Sequence, residues 1–157
     1  MPRKPAARLE GGILDAAYRM WSQRGERALT MRSVARVSGT TTATLYERFS
    51  NKGSLLAHLR RRARLKLFAA IQSSRTPTQA CRRVLDFFGS HPNDFGLISE
   101  DWAIAFARGE HIPSFEFLKR RLAMQLGGEP DQHTRLALAL VALLQGTATL
   151  LHSVDIT

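Results

Sequence analysis

A glycine between two short helical segments restricts what this chain can fold into more than any other feature. Thr30 is a good N-cap for a helix over residues 31–37, because its hydroxyl can accept from a free N–H of the first turn. Gly39 supplies the positive φ that a tight turn between helices requires. Thr41 then caps a helix over residues 42–48. Two short helices joined by a three-residue turn that contains glycine predict a helix-turn-helix.

Longer helical segments surround this pair. Apolar residues recur at intervals of three and four over residues 9–23, and a second such segment covers residues 52–71. Leu45 and Phe49 share a face and are expected in the core that these helices form. The second half holds further helical segments at 78–88, 94–108, 114–126 and 131–153. The sequence therefore predicts an all-α chain, with a three-helix helix-turn-helix domain over residues 1–52 and a compact helical domain over residues 53–157.

The positive charge is concentrated in the first half of the chain. In total, 23 Lys and Arg stand against 13 Asp and Glu, which gives a net charge of +10. Residues 1–75 hold 16 basic and four acidic residues, hence +12, and residues 76–157 hold seven and nine, hence −2. An arginine-rich genome could explain why the whole chain is basic, but it does not explain why the two halves differ in charge. It indicates a polyanion-binding module joined to a module with a different partner.

Enzyme and metal-site signatures are absent from the sequence. There is no glycine-rich phosphate loop, no Gly-x-Ser-x-Gly, no His-Glu-x-x-His, and no His or Cys pair at ligand spacing. We therefore expect no catalysis, no metal and no cofactor. The single cysteine, Cys81, excludes an internal disulfide, and no apolar run follows the basic N-terminus. Both observations favour a cytoplasmic protein.

A set of residues through the helix-turn-helix resembles the DNA-binding domain of TetR-family regulators. The matching residues are Ile13 to Ala17, Gly25, Thr30 to Ala35, Gly39, Thr41 to Tyr46, Phe49 and Lys52 to Leu56. The resemblance covers about residues 9–57. It implies an all-helical homodimeric repressor that binds a palindromic double-stranded operator. It also implies that the C-terminal domain binds a small inducer and forms the dimer.

The second of the two short helices is the expected recognition helix. Such a helix places its N-terminal residues at base edges in the major groove, so Thr42 and Thr44 are candidates for reading bases. Lys52 stands in the first turn of the next helix, beside N–H groups that favour an anion. The resemblance assigns Tyr46 to a phosphate. Further candidates for DNA contact are Thr41, Arg32, Arg36 and Arg48, with Arg3 and Lys4 in an N-terminal arm.

Aromatic residues are concentrated in the second half, where the ligand would bind. Trp102 and Phe106 are one helical turn apart and could face each other across a cavity. Acidic side chains stand beside Trp102, and carboxylates with aromatic faces suit a cation. The candidates for ligand contact are Phe87, Phe88, Glu100, Asp101, Trp102 and Phe106. An ordinary helical core with exposed acids is the alternative.

The last segment is apolar along its whole length. Residues 136–154 contain no Asp, Glu, Lys or Arg, and this length reaches the lower bound for a membrane span. Its glutamine, histidine and hydroxyl side chains make it a poor span. Burial on two sides, against its own core and against a partner protomer, explains it better than a purely internal position or a membrane. The expected dimer contacts are Ala139, Ala142, Leu143, Gly146 and Leu150.

A function of a different class uses the basic segment 52–71. A basic amphipathic helix also suits a peripheral membrane protein or a partner-binding protein. Such a helix has no need of Gly39 or of the short helices beside it. The sequence therefore favours DNA binding and keeps this second reading as the alternative.

Overall fold

The computed structural model describes residues 6–100 and 102–154, and every regular element in these ranges is helical. The all-α prediction is confirmed. The chain divides into two compact units, Met1–Arg62 and Ala63–Thr157. The boundary between these units, at 62/63, lies inside the helix Lys52–Ile71. The domain boundary predicted from the sequence, at 52/53, lies at the start of that helix.

The first unit contains the predicted helix-turn-helix. Its elements are α1 (Ala6–Arg24), a 3₁₀ turn (Glu26–Ala28), α2 (Met31–Ser38), α3 (Thr42–Arg48) and the first part of α4 (Lys52–Ile71). α2 packs against both α1 and α3. The fully buried apolar side chains of this unit are Ile13, Ala17, Leu29, Val34, Leu45, Phe49, Leu55 and Leu59. The predicted core positions of Leu45 and Phe49 are confirmed, so α3 is held against the unit by its inner face.

The second unit comprises the rest of α4 and five further helices. These are α5 (Pro77–Ser90), α6 (Pro92–Ser99), α7 (Trp102–Ala107), α8 (Pro113–Leu126) and α9 (Thr134–Ser153), with a 3₁₀ turn (Pro130–His133) before α9. Three of them begin with proline, which fixes a helical φ and has no N–H to leave unpaired at a helix start. α5, α8 and α9 pack against one another.

The segment predicted as one helix over residues 94–108 is two helices in the structure. The Ser99 hydroxyl donates to the Phe95 carbonyl at 2.8 Å, a side-chain bond that competes with the backbone ladder where α6 ends. α7 begins at Trp102 and is followed by Gly109, whose φ is +64°. The last predicted helix also begins later, at Thr134, because the 3₁₀ turn occupies the residues before it.

A buried ammonium connects α8 to the turn before α9. Lys119 is only 6% exposed, and its Nζ lies 2.7 Å from Asp131 Oδ1 and 3.0 Å from Glu116 Oε2. The hydrogen bond to Asp131 raises the pKa of Lys119 more than burial lowers it. The ammonium therefore stays charged in its buried position.

Candidate nucleic-acid interface

The start of α2 is fixed by a reciprocal cap. The Ser33 N–H donates to Thr30 Oγ1 at 3.0 Å, and the Thr30 N–H donates to Ser33 Oγ at 2.9 Å. Thr30 is thus the N-cap that the sequence predicts, and Ser33 completes a capping box. The Ser33 hydroxyl also donates to the Ala28 carbonyl at 2.7 Å, which joins α2 to the preceding turn.

Gly39 forms the turn between α2 and α3. Its φ of 67° and ψ of 31° lie in the left-handed region, as predicted. The next N–H, that of Thr40, donates to the Ala35 carbonyl at 2.9 Å, which satisfies a carbonyl at the end of α2. α3 begins three residues after Gly39, so its direction is set by the end of α2.

Thr41 caps α3 and also binds one of the predicted base-reading residues. The Thr44 N–H donates to Thr41 Oγ1 at 3.1 Å, and the two hydroxyl oxygens form a second hydrogen bond at 3.0 Å. Thr44 is half-buried, whereas Thr42 is exposed and Tyr46 is 53% exposed. Thr42 and Tyr46 therefore lie on the exposed face of α3. The Thr44 hydroxyl is hydrogen-bonded to the N-cap residue Thr41.

The other predicted DNA contacts belong to the same unit. Those that the structure exposes are Arg32, Arg36, Thr41 and Arg48, and Lys52 is half-buried. Arg3 and Lys4 lie outside the described residues. The first unit thus carries four basic candidates at least partly accessible to solvent: Arg32, Arg36, Arg48 and Lys52.

Lys52 has an ion-pair partner that its sequence neighbours do not predict. Its Nζ lies 3.3 Å from Glu26 Oε1 of the 3₁₀ turn. The two residues are far apart in the chain, and no spacing rule connects them. A phosphate that approaches Lys52 must compete with this carboxylate.

Other basic residues of α4 are held by carboxylates within their own units. Arg62 pairs with Asp15 in the first unit, and its guanidinium lies 5.1 Å from the centre of the Tyr18 ring. In the second unit, Arg64 Nη1 lies 2.9 Å from Glu110 Oε2. Asp15 is already subtracted in the +12 of residues 1–75, but Glu110 belongs to the second half of the sequence, so the Arg64–Glu110 pair lowers the charge available to a polyanion below +12.

Residues 13–59 match the family model described as bacterial regulatory proteins, tetR family. This segment is similar to the domain that the family model describes. The match covers the capped helix pair, Thr42, Tyr46 and Lys52, so the resemblance found in the sequence is confirmed. No curated protein matches the chain at a significant level.

Solved structures are similar in fold over most of the chain. A TetR-like transcriptional regulator from a Rhodococcus species has a TM-score of 0.58 at 22% identity, over 93% of this chain and 85% of that one. BioQ with its natural double-stranded DNA operator has a TM-score of 0.66 at 22% identity, over 88% and 84%. A TetR-family transcriptional regulator from Haemophilus influenzae has a TM-score of 0.56 at 16% identity, over 95% and 90%. At these identities the likeness concerns the fold.

The second unit contains a partly open cavity of about 30 Å³. Its lining comprises Leu67, Ile71, Ala80, Cys81, Val84, Phe88, Trp102, Ser114, Phe115, Leu118, Val141, Leu144 and Gln145. Two of the six predicted ligand contacts, Phe88 and Trp102, are among these residues. Burial raises the pKa of the half-buried Cys81 thiol, which keeps it protonated at neutral pH.

The remaining predicted ligand contacts are placed elsewhere. The Phe106 ring packs against Trp102, with 5.0 Å between the ring centres, so the two rings touch instead of facing across a space. Phe87 is buried and stacks on His91 with 4.5 Å between the ring centres. Glu100 is exposed, and Asp101 lies outside the described residues. Within the described ranges, no group of three His, Cys, Asp or Glu could hold a metal ion.

α9 turns most of its apolar surface away from its own unit. Ala137, Leu144 and Ala148 are buried, but Leu143 and Leu150 are 65% and 66% exposed. The three small residues predicted as dimer contacts, Ala139, Ala142 and Gly146, are also exposed. In the described part of the chain, Pro130–Ser153 is the one helical stretch that is long and apolar enough to cross a membrane, by length and composition alone.

Proposed function

We propose that this protein is a sequence-specific DNA-binding transcriptional regulator that acts in the cytoplasm as a homodimer on a palindromic operator. We further propose that it is a repressor, released when a small molecule binds its second unit, and that it has no catalytic activity. The observation that carries the proposal is the capped pair α2 and α3, with threonine, tyrosine and arginine side chains on its exposed surface. The same fold occurs in BioQ, whose structure contains its operator.

The exposed residues of α3 and the start of α4 have different roles in the proposed DNA complex. Thr42 is exposed in the first turn and offers a hydroxyl to a base edge in the major groove. The Thr44 hydroxyl is bound to Thr41, so Thr44 offers its methyl group, which suits the methyl group of thymine. Tyr46 and Lys52 contact phosphates and hold the register without reading sequence.

Selection from a pool of random DNA duplexes tests the base-reading role. We expect an inverted repeat whose half-sites are roughly one helical turn apart, since a two-fold dimer presents two recognition helices. Thr42→Val removes a hydroxyl at constant shape, and Thr44→Ser removes a methyl group while keeping the cap to Thr41. Both variants should change the selected sequence. An unchanged selected sequence in both would refute the base-reading assignment.

The phosphate role is tested by affinity against salt. With roughly six phosphates neutralised per dimer, log K should fall with log salt at a slope near −5. Tyr46→Phe and Lys52→Met should weaken binding to all duplexes by a similar factor. Binding that does not respond to salt would contradict the proposal.

The exposed face of α9 supports the homodimer. Leu143 and Leu150 lie two turns apart along it, and burying one leucine is worth roughly 1.5–3 kcal/mol. Gly146 and Ala139 allow a second helix to approach closely. A protomer that left this face in water would lose that free energy, so we assign it to a partner copy.

Light scattering at micromolar concentration tests the dimer. The wild type should have the mass of two chains, and Leu143→Arg should have the mass of one. Leu65→Arg is the matched control, because Leu65 is also an exposed leucine, at 48%, but lies on α4. A monomeric wild type, or equal loss of the dimer in both variants, contradicts the interface.

The alternative function, membrane or partner binding through residues 52–71, conflicts with the burial of that helix. Its apolar side chains Leu55, Leu59 and Ala63 are fully buried, and Leu67 is 2% exposed. A membrane could bind these side chains only if the unit that buries each of them unfolded locally. Co-sedimentation with anionic liposomes, compared with duplex binding in the same buffer, separates the two functions.

A further inference from the structure

Glu47 is an exposed carboxylate on the helix that is expected to read DNA. It stands between Tyr46 and Arg48 in the last turn of α3. Carboxylates stabilise a helix near its N-terminus and not near its C-terminus, so this position does not favour an acid. In the part of the chain that the structure describes, no lysine or arginine forms an ion pair with Glu47. The contacts within the first unit therefore give no reason for a carboxylate here.

The helical period places Glu47 on the side of α3 that faces away from the core. Leu45 is fully buried and holds the inner side of the helix. With ~100° between successive residues, Ala43 and Glu47 each lie about 160° from Leu45 around the helix axis. Thr42 and Tyr46 lie only about 60° and 100° from it. Ala43 and Glu47 are both exposed, and they point most directly away from the core of the first unit.

The Glu47 side chain leans towards the start of α3. Side chains of a helix point towards its N-terminus, so Glu47 covers the turn that contains Ala43. Ala43 is exposed and carries only a methyl group, which leaves room beside it for a longer side chain. A recognition helix presents its N-terminal part to base edges in the major groove. The Glu47 carboxylate is therefore within reach of those edges, although its Cα lies in the last turn.

The chemistry of a carboxylate selects one base. A carboxylate accepts hydrogen bonds only, and the major-groove edge of cytosine offers the N4 amine as a donor with no acceptor beside it. Guanine offers acceptors alone, thymine offers an acceptor and a methyl group, and adenine places its N7 acceptor beside its N6 amine. Without such a donor, a carboxylate among phosphates weakens binding by repulsion. We infer that Glu47 reads a cytosine in each half-site of the operator.

This inference rests on the proposed function, which makes α3 the recognition helix, and it names the base that the helix selects. The Thr42 hydroxyl can donate as well as accept, so it tolerates more than one base. Glu47 can only accept, so it rejects guanine and thymine by repulsion between acceptors. Glu47 is therefore a stronger determinant of specificity than Thr42.

Selection from random duplexes with the full chain identifies the position that Glu47 reads. Glu47→Gln keeps the size of the side chain and should replace cytosine by adenine at one position of each half-site, because an amide pairs with N6 and N7 of adenine. Glu10→Gln is the matched control, since it removes one acid from the same unit but lies on α1. It should select the same sequence as the wild type.

Mobility shift on the selected duplex measures the contact itself. The probe replaces the cytosine of one half-site by 2-pyrimidinone, which is cytosine without its 4-amino group. This change should weaken binding of the wild type and of Glu10→Gln by about 5- to 150-fold. It should affect Glu47→Ala far less, because that variant has no acceptor for the missing amine.

The outcomes separate this inference from the proposed function. Three results would overturn the cytosine contact alone: selection of the wild-type sequence by Glu47→Gln, a half-site without cytosine at the position that changes, or an equal effect of 2-pyrimidinone on wild type and Glu47→Ala. A gain in affinity for all duplexes with an unchanged sequence belongs to the first of these, and would show that the carboxylate only repels phosphates. In each case the wild type still selects an inverted repeat. A wild type that selects no sequence would overturn both proposals.

Discussion

Replacing Gly39 with alanine should destabilise the first unit, although the added methyl group would meet no neighbouring atom. A Cβ built on Gly39 has nothing within 4 Å, but φ is +67°. The cost therefore comes from the backbone alone. Gly12, in the interior of α1, also has open space around its Cβ position, and it is helical. The same substitution there should be stabilising.

The magnitudes follow from the two backbone conformations. Alanine in the left-handed region destabilises the folded state by roughly 1–2 kcal/mol relative to glycine. Alanine also lowers the conformational entropy of the unfolded chain, which offsets about 0.4–1 kcal/mol of that cost. The net cost of Gly39→Ala is about 1 kcal/mol. Gly12→Ala should gain up to about 1 kcal/mol, the difference in helix propensity. The two variants should thus differ in free energy of unfolding by about 2 kcal/mol.

Urea denaturation followed by circular dichroism measures this difference. Gly39→Asn serves as a second control, since asparagine tolerates the left-handed conformation better than alanine, and should lie between wild type and Gly39→Ala. Equal stability of Gly39→Ala and Gly12→Ala would refute the role of φ at this turn. Because the turn sets the direction of α3, Gly39→Ala should also weaken DNA binding, whereas Gly12→Ala should leave it unchanged.

Three further substitutions test individual contacts. Glu26→Gln should raise DNA affinity by up to about fivefold in a mobility-shift assay, because it frees Lys52, and should have no effect in a Lys52→Met background. The pKa of Lys119 is raised in the fold, so its pairing stabilises the protein below the pKa of the unfolded chain and the benefit disappears as pH rises through the folded pKa. The stability lost in Asp131→Asn should therefore be constant near neutral pH and shrink above about pH 10.4. Ser114→Ala should leave the thermal stability equal or higher, because it removes a buried hydroxyl that has no partner within the protein.

Local chemistry made the helix-turn-helix predictable from the sequence. The caps at Thr30 and Thr41 and the positive φ of Gly39 depend on residues at most four positions away, so the residue types alone specify them. Leu45 and Phe49 repeat with the helical period, which predicts their burial. The fold class followed from the same signals.

Contacts between distant residues were not predictable. The Lys52–Glu26 and Arg64–Glu110 pairs join positions 26 and 46 residues apart. The cavity of the second unit was predicted only in part for the same reason. Phe88 and Trp102 belong to the cavity lining, but Ser114 and Gln145 carry no sequence signal, because a serine near a helix start and a glutamine in an apolar run look ordinary. Their lack of partners is visible only once the helices are packed.

α9 has no side that is free to vary. One side lines the cavity through Val141, Leu144 and Gln145, and the opposite side exposes Leu143, Gly146 and Leu150, which we assign to a second copy in the proposed homodimer. An ordinary surface helix accepts charged residues on its outer face with little effect on fitness. Here we expect evolutionary drift to be confined to exchanges among small and apolar residues around the whole circumference. A saturation mutagenesis scan should therefore find α9 less tolerant than the exposed positions of α4, such as Arg61.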